Sequence, residues 1–429
     1  MSQGPSLIFD KSSLESLNLD EAVMMDNFYM SNITPLFFVE CLADLEKQLR
    51  SNSTPEQLVG SLADRTPDYQ AYPNAHHMDV LLGELQGRFD VTKAFERIAI
   101  SHGTNVRLGD RQGLVFKQSK EQDAVERWSR REFLDLERNI AKKWRRSLTT
   151  VDFDAMVTAV MRHLGNWRKP KDLPDAKQIA DTIIDFLDPE WILRFGLTLL
   201  GLPNAAEPTV TAWINRRRPS LRKRFPYFVF MLTVNIFFCL VLPTQLLRNV
   251  KASHHIDLAY LYYLPFCSVF TSKDNFHVQL APLFLTQHQT FVHGNDFKDE
   301  MKKLVAHYSG LAPEVLQTGL ANFAGFPPDD TSFLTTRLWD IYLPTWREVR
   351  DRPRADPDPI DNENLVAAME KMTEMPYTPS PADEVVEMDE LDYVKAERQI
   401  YPRKGRWQRF SNEQEARFER RKDGEPSSA

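Results

Sequence analysis

Sixteen residues, Tyr227–Leu242 (YFVFMLTVNIFFCLVL), constrain the fold more than any other part of this chain. No charged residue occurs between Phe225 and Leu247. So apolar a stretch must lie either in a bilayer or inside a protein. The basic run RRRPSLRKR (Arg216–Arg224) precedes it, like the positive cytoplasmic flank of a membrane span. Its dense part, however, is shorter than the roughly 20 residues that a span requires. Asn235 falls in its middle, and Pro226 and Pro243 bracket it. The expectation is a fully buried helix in a large α/β core, with a single-span membrane anchor as the alternative.

Bulk properties agree with a folded interior. The chain has 429 residues, 42% of them apolar, enough for a sizeable core. Its net charge of −7 excludes a protein that coats nucleic acid with uniform positive charge. Nucleic-acid contact would need a local basic patch or bound cations. Cys41, Cys239 and Cys267 each sit in an apolar run and form no CxxC pair, which reads as three buried thiols in a reducing compartment. The N-terminus lacks a basic region followed by an apolar run, so no signal peptide is expected and the location is read as cytoplasmic.

Along the chain, LIFD (Leu7–Asp10) reads as a buried strand ending in an acid, and the next segment as helix. Asn32–Pro35 reads as a short strand or turn entering a second helix. Residues 51–120 read as loops with one or two helices and a short strand at Gly113–Lys117. Residues 121–146 show helical spacing at Val125, Trp128, Phe133, Leu136, Ile140 and Trp144. Further helices are expected near 151–165 and 176–200. From His255 the pattern alternates again: a helix to Pro265, a strand at Cys267–Thr271, a short helix, and a strand at Gln289–His293. Past residue 350, Asp, Glu, Pro and Arg dominate, which reads as a largely disordered tail suited to self-association or a protein partner.

Carboxylates punctuate this pattern. Asp10 ends the first strand, and Asp274 follows the strand at Cys267–Thr271. In a parallel α/β sheet the carboxyl ends of the strands form the ligand-binding edge, where both acids would meet. Asp257 would open a helix beside that edge. Glu40 lies in an apolar run, LFFVECLADL, where an acid is costly without a partner. Four converging acids repel one another, and hard cations such as Mg²⁺ or Mn²⁺ would relieve them.

Three segments carry a family resemblance. LIFDKSSL resembles the opening strand of PIN-domain nucleases, and ITPLFFVECLADLEK their second-acid helix. HIDLAYLYYLPFCSVFTSKDNF resembles their distal motif, an Asp that starts a helix followed by a strand and a Thr/Ser-x-Asp ending. The resemblance implies that Asp10, Glu40, Asp257 and Asp274 are the catalytic, metal-binding acids, with Ser272 steadying them. It implies Mg²⁺- or Mn²⁺-dependent phosphodiester hydrolysis, most often of RNA. It covers roughly residues 7–50 and 253–300, and its main departure is the long gap from Glu40 to Asp257.

The resulting expectation is an α/β fold, a PIN-like parallel sheet flanked by helices. Its core is split between residues 1–50 and 225–310, around a mostly helical insertion at 51–224. A helical extension at 311–350 and the charged tail at 351–429 complete the chain. The function expected is a metal-dependent endonuclease acting on RNA. The alternatives are a catalytically idle PIN-like module that binds RNA or protein, and the membrane-anchored protein. Arg216, Arg217, Arg218, Arg222, Lys223 and Arg224 are candidates for nucleic-acid contact, as is Lys142–Arg146 with Trp144. His76–His77 with Glu84, and His254–His255 with Asp257 and His277, lack HExxH spacing and read as ordinary histidines rather than zinc ligands. His254 or His255 could still touch a phosphate near Asp257. Asp296 and Asp299 are reserve acids after the last strand.

Overall fold

The run SLIF forms β1 (Ser6–Phe9), all four residues of which are buried. In the computed structural model, the described residues are 4–48, 54–88, 91–94, 104–108, 111–115, 120–134, 167–244, 246–247, 254–352, 386–387 and 403–411, plus isolated positions between 137 and 162. Further strands are β2 (Met30–Ile33), β3 (Ala71–Pro73), a hairpin of β4 (Thr104–Leu108) and β5 (Arg111–Val115), β6 (Val269–Ser272) and β7 (Thr290–His293). Five of them make one sheet in the order β3-β2-β1-β6-β7, with every pairing parallel. β4 pairs separately with Val386–Glu387.

Alternation along the central strands divides the core in two. Leu7 and Phe9 of β1 and Val269 of β6 enter one apolar cluster, while Ile8 and Phe270 enter another. The first cluster is built with α2 (Leu19–Phe28), α4 (Pro55–Arg65) and the helices Gly294–Ser309 and Leu334–Tyr342. The second is built with α5 (His77–Gln86) and the helices Leu173–Phe186, Pro189–Leu199, Pro203–Asn215 and Pro226–Val241. A parallel sheet requires cover on both faces, and here the long segment between β3 and β6 supplies one cover.

The apolar segment is the Pro226–Val241 helix, with thirteen of its sixteen residues buried. It packs along the Leu173–Phe186 helix within the second cluster. Asn235 is accommodated by donating Nδ2–H to the Met231 carbonyl at 2.8 Å and the Tyr262 hydroxyl at 2.9 Å. The first backbone N–H groups of this helix have no partner within it. Glu84 of α5 supplies one, accepting from Tyr227 N and Phe228 N, each at 2.8 Å. Among the described residues, no helix is long and apolar enough to cross a membrane.

Several boundaries differ from the sequence reading. The sheet does not stop at residue 50, because α4 and β3 belong to it and its cover. The strand expected at Gly113–Lys117 is Arg111–Val115, half of a hairpin. The helix expected over 121–146 spans Lys120–Ser129 and then turns. Arg131 takes a left-handed φ of 63°, and Glu132 N donates to the Arg127 carbonyl, closing a left-handed helix stop. Arg131 then forks onto Asp64 at 2.6 and 3.1 Å, which binds the stop to α4. The helix expected near 176–200 is two helices, separated where Asp188 caps a new start with Pro189 in its first turn. Of the helix expected near 151–165, the described residues Val157, Thr158, Met161 and Arg162 are helical, while Lys142–Arg146 with Trp144 lies outside the described residues.

Within the charged tail, residues 403–411 are packed on the core. Trp407 is buried in the first cluster and Arg409 is 2% exposed.

Candidate active site

Asp10 follows β1 directly and is 1% exposed. Its Oδ1 accepts Ser13 N at 2.8 Å, which caps α1 (Lys11–Ser16). Ser12 Oγ lies 2.9 Å from both carboxylate oxygens. Ser272 closes β6, and because Phe9 pairs with Thr271, Asp10 and Ser272 emerge side by side. Ser272 Oγ–H donates to Asp10 Oδ2 at 2.5 Å and accepts Asp274 N–H at 3.0 Å. One hydroxyl therefore bonds the Asp10 carboxylate and the backbone of Asp274, two residues past the end of the adjacent strand.

Asp274 turns its own carboxylate to Phe276 N at 2.7 Å, capping the Asn275–Phe284 helix. Three residues after Asp274 stands His277, 1% exposed. Its Nδ1 lies 2.9 Å from Ser272 Oγ and 3.3 Å from Asp10 Oδ2, and its Nε2 lies 2.9 Å from the Asp257 carbonyl. With protons on both ring nitrogens, every one of these contacts is a donor meeting an acceptor. Burial alone would lower the His277 pKa, but the Asp10 hydrogen bond and charge, with Asp257 behind them, raise it to about 9. Burial would conversely raise Asp10, yet His277 and Ser272 hold it below the usual carboxylate range.

Glu40 reaches the same place from α3 (Pro35–Gln48). Its Oε2 accepts Lys11 N at 3.2 Å and the Tyr260 hydroxyl at 2.9 Å. Burial, then the charges of Asp10 and Asp257, push its pKa up to about 8, against Lys11 and Tyr260. Asp257 lies in the first turn of the His254–Leu261 helix, three residues after its start rather than at its opening. Glu40 thus feels both Asp10 and Asp257, and Ser272 links the Asp274 backbone to the Asp10 carboxylate.

By chemistry these are oxygen donors of the kind hard cations take. By arrangement they fall short of a preformed site. Among the described residues, no group of three or more His, Cys, Asp or Glu is placed to hold a metal ion. Asp10 is engaged by two serines, a backbone N–H and His277, while Asp274 caps a helix.

The other candidates lie apart. Arg222 pairs with Asp185 at 2.7 Å and Asp181 at 3.3 Å. It lines a cavity shared with Pro265 and Gln289, which precede β6 and β7, so this part of the basic run faces the amino edge of the sheet rather than the acids. Arg218 lies over Trp213 and near Glu190, and Arg224 over Phe225. Arg216, Arg217 and Lys223 are exposed on the same turn and short helix. His76 caps α5, His77 meets the Tyr263 hydroxyl, and His254 stacks on Phe276. The His255 side chain lies outside the described residues. Asp296 and Asp299 are exposed on the Gly294–Ser309 helix.

Tyr260 is the site residue that the sequence analysis did not name, and His277, grouped there with Asp257, was read only as an ordinary histidine. A signal for His277 existed. An acid forced into a strand end needs a counter-charge, and a histidine one helical turn beyond the partner acid is within reach. No known protein family, curated protein or solved structure matches this chain.

Proposed function

We propose that this chain is a PIN-like, metal-dependent nuclease whose site is the carboxyl edge of β1 and β6, acting on RNA. The observation that supports the reading is the Ser272 hydroxyl at the end of β6, which bonds the Asp10 carboxylate at the end of β1 and the backbone N–H of Asp274 two residues on. Glu40 supports it by approaching Asp10 through Lys11 N, as does Asp257 by backing His277. Asp10, Glu40, Asp257 and Asp274 would hold Mg²⁺ or Mn²⁺. The ion would neutralise the scissile phosphate and activate water. The chain's own part is positional: Ser12 and Ser272 fix Asp10, and Tyr260 fixes Glu40.

A second reading, the catalytically idle PIN-like module, is favoured by one observation. The His277 imidazolium already occupies the counter-ion position beside Asp10. A cleavage assay separates the two. RNA and DNA are incubated with Mg²⁺, Mn²⁺ or EDTA and with wild type, Asp10→Asn or Asp274→Asn. The nuclease reading expects RNA cleavage that EDTA abolishes and either substitution lowers by about a hundredfold or more. Absence of cleavage by wild type with both ions, while RNA is still bound, would establish the idle module.

A further inference from the structure

We propose that Asp26, Asp68 and Tyr69 form a docking socket for an arginine-bearing peptide, and that residues 403–411 are its exchangeable ligand rather than part of the continuous fold. The socket lies where α2 meets the segment entering β3, on the opposite side of those strands from the acid edge. Its acid is held by backbone groups of the core as well as by its occupant. Asp26, 1% exposed, accepts Asp68 N at 3.1 Å, Tyr69 N at 2.9 Å and Gln70 N at 2.9 Å. These three bonds fix its carboxylate before any cation arrives.

Arg409 fills the socket as a ligand would. One guanidinium nitrogen bonds Asp26 at 2.7 Å and Asp68 at 2.8 Å, and another bonds Asp68 at 2.8 Å. Its plane lies 5.4 Å from the Tyr69 ring centre. Such a fork discriminates Arg from Lys. Flanking contacts match charge to charge. Lys404 bonds Asp68 and the Thr66 carbonyl, both at 2.7 Å, and Arg406 bonds Asp20 at 2.6 Å. Trp407 anchors the segment in the apolar cluster, 6.4 Å from Phe323 between ring centres.

The strand pairing of the segment is internal, between Arg403–Lys404 and Trp407–Gln408, about a turn where Gly405 has φ +59°. Its backbone meets the core where the Arg409 carbonyl accepts Ala321 N at 3.0 Å and Arg406 N donates to Asp20 at 3.0 Å. The core is shaped to receive it. Gly319, at φ +88°, lies so close that a Cβ would stand 2.5 Å from the Phe410 carbonyl carbon. Residues 353–402 separate the segment from the preceding helix, Trp346–Asp351.

The test uses the full chain with a sequence-specific protease site placed between residues 388 and 402. After cleavage, a fluorescent synthetic peptide of residues 401–411 is added and its anisotropy followed. The proposal expects saturable binding that the unlabelled peptide reverses. Arg409→Lys in the peptide, or Asp68→Asn in the chain, should weaken it about tenfold or more. Gly319→Ala should block docking through backbone contact alone and leave the acid edge untouched. Unfolding upon cleavage, a retained fragment that never exchanges, or equal binding of the Arg409→Lys peptide would overturn the proposal.

Discussion

His277 decides how the acid edge responds to pH. In the fold its pKa is raised from 6.5 to about 9, so its contribution to stability is complete below pH 6.5 and is lost as pH rises through 9. Glu40 runs the same way. The fold favours its neutral form, raising it from 4.5 to about 8, so stability falls as pH climbs through that window. Asp10, held low, gives the opposite slope, and its contribution is lost as pH falls below the usual carboxylate range. The thermal midpoint in EDTA should therefore decline from pH 5 to pH 9. Glu40→Gln should flatten the lower part of that decline and His277→Gln the upper part. A midpoint that rises over this range would contradict the assignment. Ser272 can be tested at the same scale. Ser272→Ala removes the hydroxyl shared by the two acids, and a buried carboxylate hydrogen bond of this kind is worth about 1.5–3 kcal/mol. Urea unfolding should register most of that loss.

The Pro226–Val241 helix shows what sequence patterning can and cannot reveal about an element. Its burial was legible, because sixteen nearly unbroken apolar residues with prolines at the ends leave few choices. Its cap was not legible. Glu84 lies well over a hundred residues earlier, in α5, and nothing local marks it as the acceptor for Tyr227 N and Phe228 N. Burial pushes Glu84 up to about 7, against those two N–H groups and Arg224. Glu84→Ala would leave buried donors unmatched, at about 1–3 kcal/mol for each. Urea unfolding should show a loss of about 2–6 kcal/mol, while a loss below about 0.5 kcal/mol would mean that the cap is dispensable. The helix stop at Arg131 was hidden for a related reason. Apolar spacing persists through Phe133 and Leu136, but the turn depends on a left-handed arginine held by Asp64. β3, three residues ending in proline, carries no alternation to read.

At the scale of the whole molecule, the acids of β1 and β6 and the α/β alternation were readable, because strand-end carboxylates keep their logic however far apart they lie. The role of residues 51–224 was not. They read as a mostly helical insertion, yet the helices between 173 and 215 join Pro226–Val241 in the apolar cluster that takes Ile8 and Phe270. Replacing residues 173–241 with a short linker should expose Ile8, Phe270 and their neighbours and leave the chain aggregated on size exclusion, whereas a monodisperse product would show that the sheet stands without that cover. The docking of residues 403–411 was not legible, because the ion pairs of Arg409 form only once Asp26 and Asp68 are brought together. Under the proposed function the carboxyl edge takes up a divalent ion, and isothermal titration with Mn²⁺ measures that uptake. Saturable binding to the full chain that Asp10→Asn or Asp274→Asn abolishes is the expected result; no uptake by wild type, or equal uptake by both variants, would refute the proposal.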